Sequence, residues 1–136
     1  MEVSVIGLFN DSLERCQADP RFLDRFYETF IASDKAVAGK FARTDLKRQR
    51  VMLETSLYLL LEASGRNPSA ESLAHLEHIA VLHDRNHHDV PPAMYELWLD
   101  CMIRTVREID PKCTERTEES WRTVLGQGIR IMQARY

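Results

Sequence analysis

Apolar residues recur at intervals of three and four along most of this chain, which is the spacing of a helix face turned toward a core. No segment keeps the polar–apolar alternation typical of a β-strand. The pattern therefore predicts an all-α fold with six or seven helices and a short turn-like piece, DKAVAGKF. The helical segments run from residue 5 to before Asp19, from Phe22 to about Ser33, from about residue 46 to Ala63, from Ser69 toward the sequence NHHDVPP, from Pro91 to before Asp110, and from about Glu115 to Arg135.

Capping residues and prolines predict where these helices begin and end. Thr44 and Asp45 are both good N-caps for the long helix, and Ser69 can cap the next helix after a break at GRNPS. A residue before proline avoids helical geometry, so that helix must stop near NHHDVPP. Pro91 and Pro92 suit the first turn of a new helix, because an N–H group there has no helical partner to lose.

Composition and charge indicate one ordinary globular domain. The 136 residues are enough to bury a core, and 44% hydrophobic with 29% charged residues is a typical balance. The net charge of −3 and the scattered Lys and Arg residues give no electrostatic case for binding nucleic acid. No apolar stretch approaches the length that crosses a bilayer, and the start MEVSVIGLFND lacks the basic residues of a secretory signal. We therefore expect a cytoplasmic protein without a membrane anchor.

The cysteines fit that compartment, because Cys16, Cys101 and Cys113 are odd in number and form no CxxC pair. Such spacing suits reduced thiols better than a disulfide framework or a zinc ribbon.

Three of the five histidines lie within six residues, and only one of these three falls on a predicted helix face. His83 follows Ile79 by four residues on the apolar stripe, one turn from the predicted helix end. A lone histidine in such a place is more often a hydrogen-bonded core residue than a ligand of a metal or of haem iron, and periodicity alone leaves both open. His75 and His78 lie off the stripe, and a chelate there would lack cysteines or any zinc-enzyme motif.

Several short motifs occur in a particular order along almost the whole chain. They are RFYETF, a KF pair fourteen residues after Tyr27, RQRVML, LEHIAVLH, VPPAMY and a late Trp121. None is specific alone, but together they resemble the globins, most closely the bacterial single-domain globins and the haem domain of flavohaemoglobins. The resemblance implies a single globin domain over residues 1–136 that binds haem b, iron protoporphyrin IX.

The same resemblance implies which residues contact the haem and its gas ligand. His83 matches the proximal ligand of the iron, Phe41 the phenylalanine that packs on the porphyrin, and Tyr95 the tyrosine that follows the proximal loop.

On the distal side, the resemblance places Tyr27 and Gln49 over the iron, with Leu53 against the gas ligand and the porphyrin. A phenol O–H and an amide N–H would both donate to a polarised O2 molecule.

Two features depart from the family pattern. The loop from His83 to Val90 is two residues longer than in typical flavohaemoglobins, and its His87 and His88 are expected to be solvated. The alternatives are contact with a haem propionate and, less favoured, coordination of the iron. Tyr136 stands where flavohaemoglobins place a glutamate that hydrogen-bonds the proximal imidazole. We therefore expect no acidic partner for that imidazole.

The resemblance implies reversible binding of O2, and of CO or NO, at a five-coordinate iron, for storage, delivery or sensing. One alternative is a nitric oxide dioxygenase. The sequence contains no GxGxxG or flavin-binding segment, so that activity would need a separate reductase. A second alternative is a haem-free regulatory module, against which the retained His83, Phe41, Tyr27 and Gln49 argue. The sequence leaves the oligomeric state open.

Overall fold

The structure, a computed structural model, describes residues 4–64 and 69–136. Within these ranges the chain forms seven α-helices and no strand, which confirms the predicted all-α fold. The predicted break at GRNPS falls mainly on residues 65–68, outside the described residues. The helices are α1 (Val5–Gln17), α2 (Phe22–Ser33), α3 (Lys35–Phe41), α4 (Leu46–Ala63), α5 (Ala70–Leu82), α6 (Pro92–Ile109) and α7 (Glu115–Ala134).

Local capping explains most of the helix starts. Asp45 caps α4 through the N–H groups of Lys47 and Arg48, and Ser69 caps α5. Pro92 occupies the first position of α6, as predicted. The piece predicted as turn-like is instead the seven-residue helix α3, because the Asp34 carboxylate accepts a hydrogen bond from the N–H of Ala36 and so starts a helical turn.

The core lies where α1, α2, α6 and α7 pack together, with Trp121 fully buried at its centre. The ring of Phe9 contacts this indole at 4.6 Å between centroids. The indole N–H donates to the Ser12 hydroxyl at 2.9 Å, which in turn donates to the Asp110 carboxylate at 2.6 Å. Arg15 completes the chain with a 2.6 Å bond to the same carboxylate. Each of these buried polar groups therefore has a partner.

α4 and α5 lie against each other and against α7 on another side of the molecule. α4 turns Leu53 and Leu57 inward, and α5 turns Leu76 and Ala80 inward. None of the helices in the described residues is long and apolar enough to cross a membrane.

Candidate functional site

His83 lies at the end of α5 as its C-cap, with its backbone N–H still bonded to the Ile79 carbonyl at 3.0 Å. The prediction of a helix that continues for another turn is therefore wrong. The helix ends early because the chain folds back: the N–H of His88 bonds the Leu82 carbonyl and the N–H of Val90 bonds the His83 carbonyl, each at 2.9 Å. These bonds satisfy carbonyls that a further helical turn would have used.

The imidazole of His83 is half-buried, and within the described residues it forms no hydrogen bond of good geometry. Its ring lies edge-on to Tyr95 at 6.3 Å between centroids, and the ring of His88 lies 6.0 Å away. Burial lowers the pKa of His83 and the nearby His88 lowers it further, while the Ile79 carbonyl acts in the opposite direction. Nothing in the described residues bonds its buried Nδ1 in good geometry. The ring is therefore neutral near pH 7, the form that binds metal ions.

The loop after His83 is held by local bonds. The ring of His87 bonds the Asp84 carboxylate at 2.7 Å, and the N–H of Asp89 bonds the Asp84 carbonyl at 2.8 Å. Asp89 has a positive φ of 51°, a conformation that Asp tolerates better than most residues. The Lys40 ammonium reaches the His88 carbonyl at 2.9 Å and so joins the loop to α3. His87 and His88 are exposed in this arrangement.

Tyr136 also holds this loop, a role that the sequence did not indicate. Its carbonyl oxygen accepts bonds from the backbone N–H and the Nε of Arg85, at 3.4 and 3.0 Å, and its hydroxyl bonds the Asp89 carboxylate. The Arg85 guanidinium lies 4.9 Å from the centre of the Tyr136 ring. These partners are about fifty residues apart in sequence, so no local pattern could have paired them.

Tyr27 on α2 and Gln49 on α4 come together through the tyrosine hydroxyl. The buried Tyr27 hydroxyl lies 3.4 Å from the Gln49 backbone carbonyl, which is long for an O–H···O bond. Burial raises the pKa of Tyr27 far above its ordinary value, although the contact with Gln49 acts against this. The hydroxyl therefore stays protonated and remains a donor. Leu53, one turn after Gln49, is buried beside them on α4.

Phe41 is half-buried at the end of α3, where it connects the tyrosine to an aromatic cluster. Its ring packs edge-on against Tyr27 at 5.7 Å and against Phe30 at 5.9 Å between centroids. Phe30 stacks on Phe26, which meets the Trp98 edge at 5.6 Å. The aromatic residues of α2 are thus mainly core packing, whereas Phe41 stays at the boundary of the core.

A cavity of about 440 Å³ opens beside Tyr27 between α2 and α4. The Arg50 guanidinium pairs with the Asp24 carboxylate at 2.8 Å, and both residues line this cavity. Its lining residues are Asp24, Tyr27, Glu28, Ile31, Ala32, Leu46 and Arg50.

The sequence had raised a histidine chelate as another possibility. Across residues 4–64 and 69–136, no group of three or more His, Cys, Asp or Glu side chains is arranged to hold a metal ion. His78 is exposed, and His75 is half-buried with an Nε2 that has no partner there. A site built only from several protein ligands is therefore not supported in this part of the chain.

Comparison with family models finds no match, and comparison with curated proteins finds none either. Among solved structures, the chain is similar to a Pseudomonas aeruginosa protein whose crystal structure is described as structurally highly homologous to a human haemoglobin. The two chains share 33% identity, the match covers 98% of each, and the TM-score is 0.89. The likeness therefore extends over both the sequence and the whole arrangement of helices.

Proposed function

The chain belongs to the single-domain bacterial globins, and we propose that it is a haem protein that binds O2 reversibly. We place the haem between α4 and α5, with His83 as its only protein ligand. The observation that carries the proposal is the imidazole at the end of α5, which is neutral, half-buried and without a bond to its Nδ1. Buried polar atoms normally have partners, so a ring without a structural hydrogen bond is free to bind a ligand. His75 shares this feature, and the position of His83 at the end of α5, which matches the proximal histidine of globins, distinguishes it.

The side chains around His83 fit iron protoporphyrin IX. Ile79, one turn earlier, and Val90, after the loop, are apolar and only half-buried, as is Phe41 at the end of α3. A flat apolar molecule would cover such surfaces. Haem held by His83 would supply a ferrous iron that can bind a diatomic gas.

His83 is expected to act through both ring nitrogens. One nitrogen would bind the metal, and the other would donate its proton to the Ile79 carbonyl, which already favours a protonated ring nitrogen. The edge-on Tyr95 ring limits rotation of the imidazole. The acids of the nearby loop are occupied, since Asp84 bonds His87 and Asp89 bonds Tyr136. We therefore propose a neutral imidazole without a carboxylate partner.

Tyr27 and Gln49 are proposed as the donors that hold O2. The Tyr27 hydroxyl is protonated, buried and only weakly engaged at 3.4 Å from the Gln49 carbonyl, so it can turn toward a better acceptor. Gln49 lies on α4 one turn before the buried Leu53, so its amide would be a second donor beside an apolar side chain. A donor in apolar surroundings interacts more strongly with a polarised acceptor than it would in water.

Absorption spectra of the purified protein test the proposal. We expect a Soret band, a ferrous spectrum that changes on adding CO, and an O2 spectrum that reverts when O2 is removed. A purified chain that takes up no haem when it is supplied would refute the proposal and favour a haem-free module. Rapid consumption of NO in the presence of an added reductant would instead favour dioxygenase activity.

A further inference from the structure

The outward face of α4 carries an unusual concentration of exposed apolar side chains. Val51, Met52 and Tyr58 are 64%, 50% and 44% exposed, on a helix whose opposite face packs on α5 and α7. Thr55 lies at the middle of this face. Each residue turns an α-helix by about 100°, so Thr55, two residues after the buried Leu53, points almost directly away from the core. Its hydroxyl bonds the Val51 carbonyl at 3.2 Å, so its polar atom is already satisfied within the helix.

The residues on this face, which we name the α4 outer face, are arranged symmetrically about Thr55. Three positions to either side are Met52 and Tyr58, and four positions to either side are Val51 and Leu59. Apolar side chains therefore stand at equal distances from the centre in both directions.

Two charged residues of opposite sign also lie at equal distances from Thr55. Seven positions before Thr55 is Arg48, and seven positions after it is Glu62, and both are exposed. The hydroxyls of Ser69 and Ser72 lower the pKa of Glu62, which keeps its carboxylate charged near neutral pH. The face is thus basic at one end, apolar in the middle and acidic at the other end.

We propose that the α4 outer face is a homodimer interface, in which two copies of α4 pack antiparallel across a two-fold axis at Thr55. This operation places Arg48 of each copy opposite Glu62 of the other, Met52 opposite Tyr58, and Val51 opposite Leu59. An isologous contact requires this kind of self-complementarity. A parallel arrangement would instead bring the two Arg48 side chains together.

The geometry of paired helices is compatible with both ion pairs. Arg48 and Glu62 are fourteen residues apart, about 21 Å along the axis, so each lies about 10 Å from the crossing point. At a crossing angle of ~20°, the axes diverge laterally by only about 4 Å there, within reach of these long side chains. One helix pair is a small contact compared with the roughly 800 Å² per partner of a standard interface, so the dimer is weak and concentration-dependent.

Sedimentation of the purified full-length chain over a concentration series tests the proposal, which does not depend on haem binding. We expect Arg48→Glu and Glu62→Arg each to weaken dimerisation about tenfold, which is 1.4 kcal/mol, because each change sets like charges against each other at two symmetric places. The double variant restores both pairs with reversed polarity, so it should dimerise like the wild type. Val51→Lys should abolish the dimer, whereas Val5→Lys, on the exposed start of α1, should not.

Crosslinking locates the axis. Thr55→Cys faces its own copy across the two-fold axis and should crosslink rapidly with a short bis-maleimide, in a Cys113→Ser background since Cys16 and Cys101 are buried. Glu54→Cys, one position away and rotated off the face, is the matched control and should not crosslink. A wild type that stays monomeric at millimolar concentration, a double charge reversal as weak as the single ones, or equal crosslinking at positions 54 and 55 would overturn the proposal.

Discussion

Asp110 and His83 are both polar side chains held against the hydrophobic core, and their hydrogen bonding differs. The Asp110 carboxylate, whose side chain is fully buried, accepts bonds from Ser12, from Arg15 and from the backbone N–H of Lys112. The imidazole of His83 is less deeply buried, yet its Nδ1 has no bond within the described residues. The more buried group is thus the better satisfied one.

This difference separates a structural centre from a binding centre. A fully satisfied buried network fixes how helices pack, and here it joins α1, the end of α6 and the Trp121 of α7. A neutral imidazole with a free nitrogen does not stabilise the folded state as such a network does, and it can bind a ligand. Changes at the first centre should therefore alter stability, and changes at the second should alter haem binding.

The largest expected effect is the loss of haem on removing the imidazole. His83→Gly should weaken haem binding by more than about 100-fold, since loss of even an outer-shell partner of a metal ligand costs about 10–100-fold. Added imidazole should fill the space and restore the ferrous spectrum, which is measured by absorption titration.

His75→Ala is the matched control for this change, because His75 also carries a buried ring nitrogen without a partner in the described residues. We expect its spectrum to match that of the wild type, and the same for His78→Ala. If His87→Ala removed haem binding and His83→Gly did not, the proposed ligand would be displaced by one turn.

The second prediction concerns the structural centre, the hydrogen-bond network around Asp110. Asp110→Ala should lower the free energy of unfolding by about 3 kcal/mol, because it removes four hydrogen bonds and leaves the buried Ser12 hydroxyl without its acceptor. Urea denaturation measures this, and the haem spectrum of the folded protein should not change.

Asp100→Ala is the control for this variant, because Asp100 forms an exposed ion pair with Arg122 at 3.2 Å. Such surface pairs contribute at most about 1 kcal/mol. Equal losses of stability in Asp110→Ala and Asp100→Ala would show that the buried network does not hold the helices together.

The third prediction concerns the distal pair. A hydrogen bond to a polarised acceptor contributes roughly 1.5–3 kcal/mol, so Tyr27→Phe should speed O2 dissociation by about one to two orders of magnitude. CO is less polar when bound, so its dissociation should change much less. Stopped-flow measurement of both gases separates loss of a hydrogen bond from a general opening of the pocket.

Tyr58→Phe removes a hydroxyl from an exposed tyrosine and should leave both rates unchanged. Gln49→Leu tests the second donor in the same way. If neither Tyr27→Phe nor Gln49→Leu accelerates O2 release by more than about twofold, the pair does not hold the gas and stable O2 binding is the wrong function.

Local patterns in the sequence were enough to predict most of the fold. Asp45, Ser69 and Pro92 mark helix starts because capping depends only on residues within one turn. The helix α3 was missed because seven residues are too few to show a helical stripe, and the early end of α5 was missed because it depends on how the loop folds back.

The candidate site was harder to predict from the sequence. His83, Phe41, Tyr27, Gln49 and Leu53 were named through resemblance, and their roles stay predictions. The bonds that hold the site are long-range: Tyr136 reaches the Arg85 loop across 51 positions, and Lys40 reaches the His88 carbonyl across 48. Periodicity cannot pair residues so far apart. Only the resemblance distinguished His83 from an ordinary core histidine.

The smallest expected effect is a pH dependence of the free energy of unfolding that comes from Asp110 in the structural centre. Burial acts to raise the pKa of Asp110, but the bonds from Arg15, Ser12 and Lys112 outweigh it and leave the pKa below its ordinary value. An acid with a lowered pKa in the folded state stabilises that state fully above its ordinary pKa, near 3.9, and this contribution is lost as the pH falls through the lowered value. We therefore expect the free energy of unfolding of the wild type to fall more steeply below about pH 4 than that of Asp110→Asn, which cannot titrate at this position. Urea denaturation at several pH values between 7 and 3 measures both, and the difference between the two curves isolates Asp110 from the other carboxylates. Parallel curves would show that the carboxylate is no better stabilised in the folded protein than in the unfolded chain, and the contrast with His83 would then rest on hydrogen-bond geometry alone.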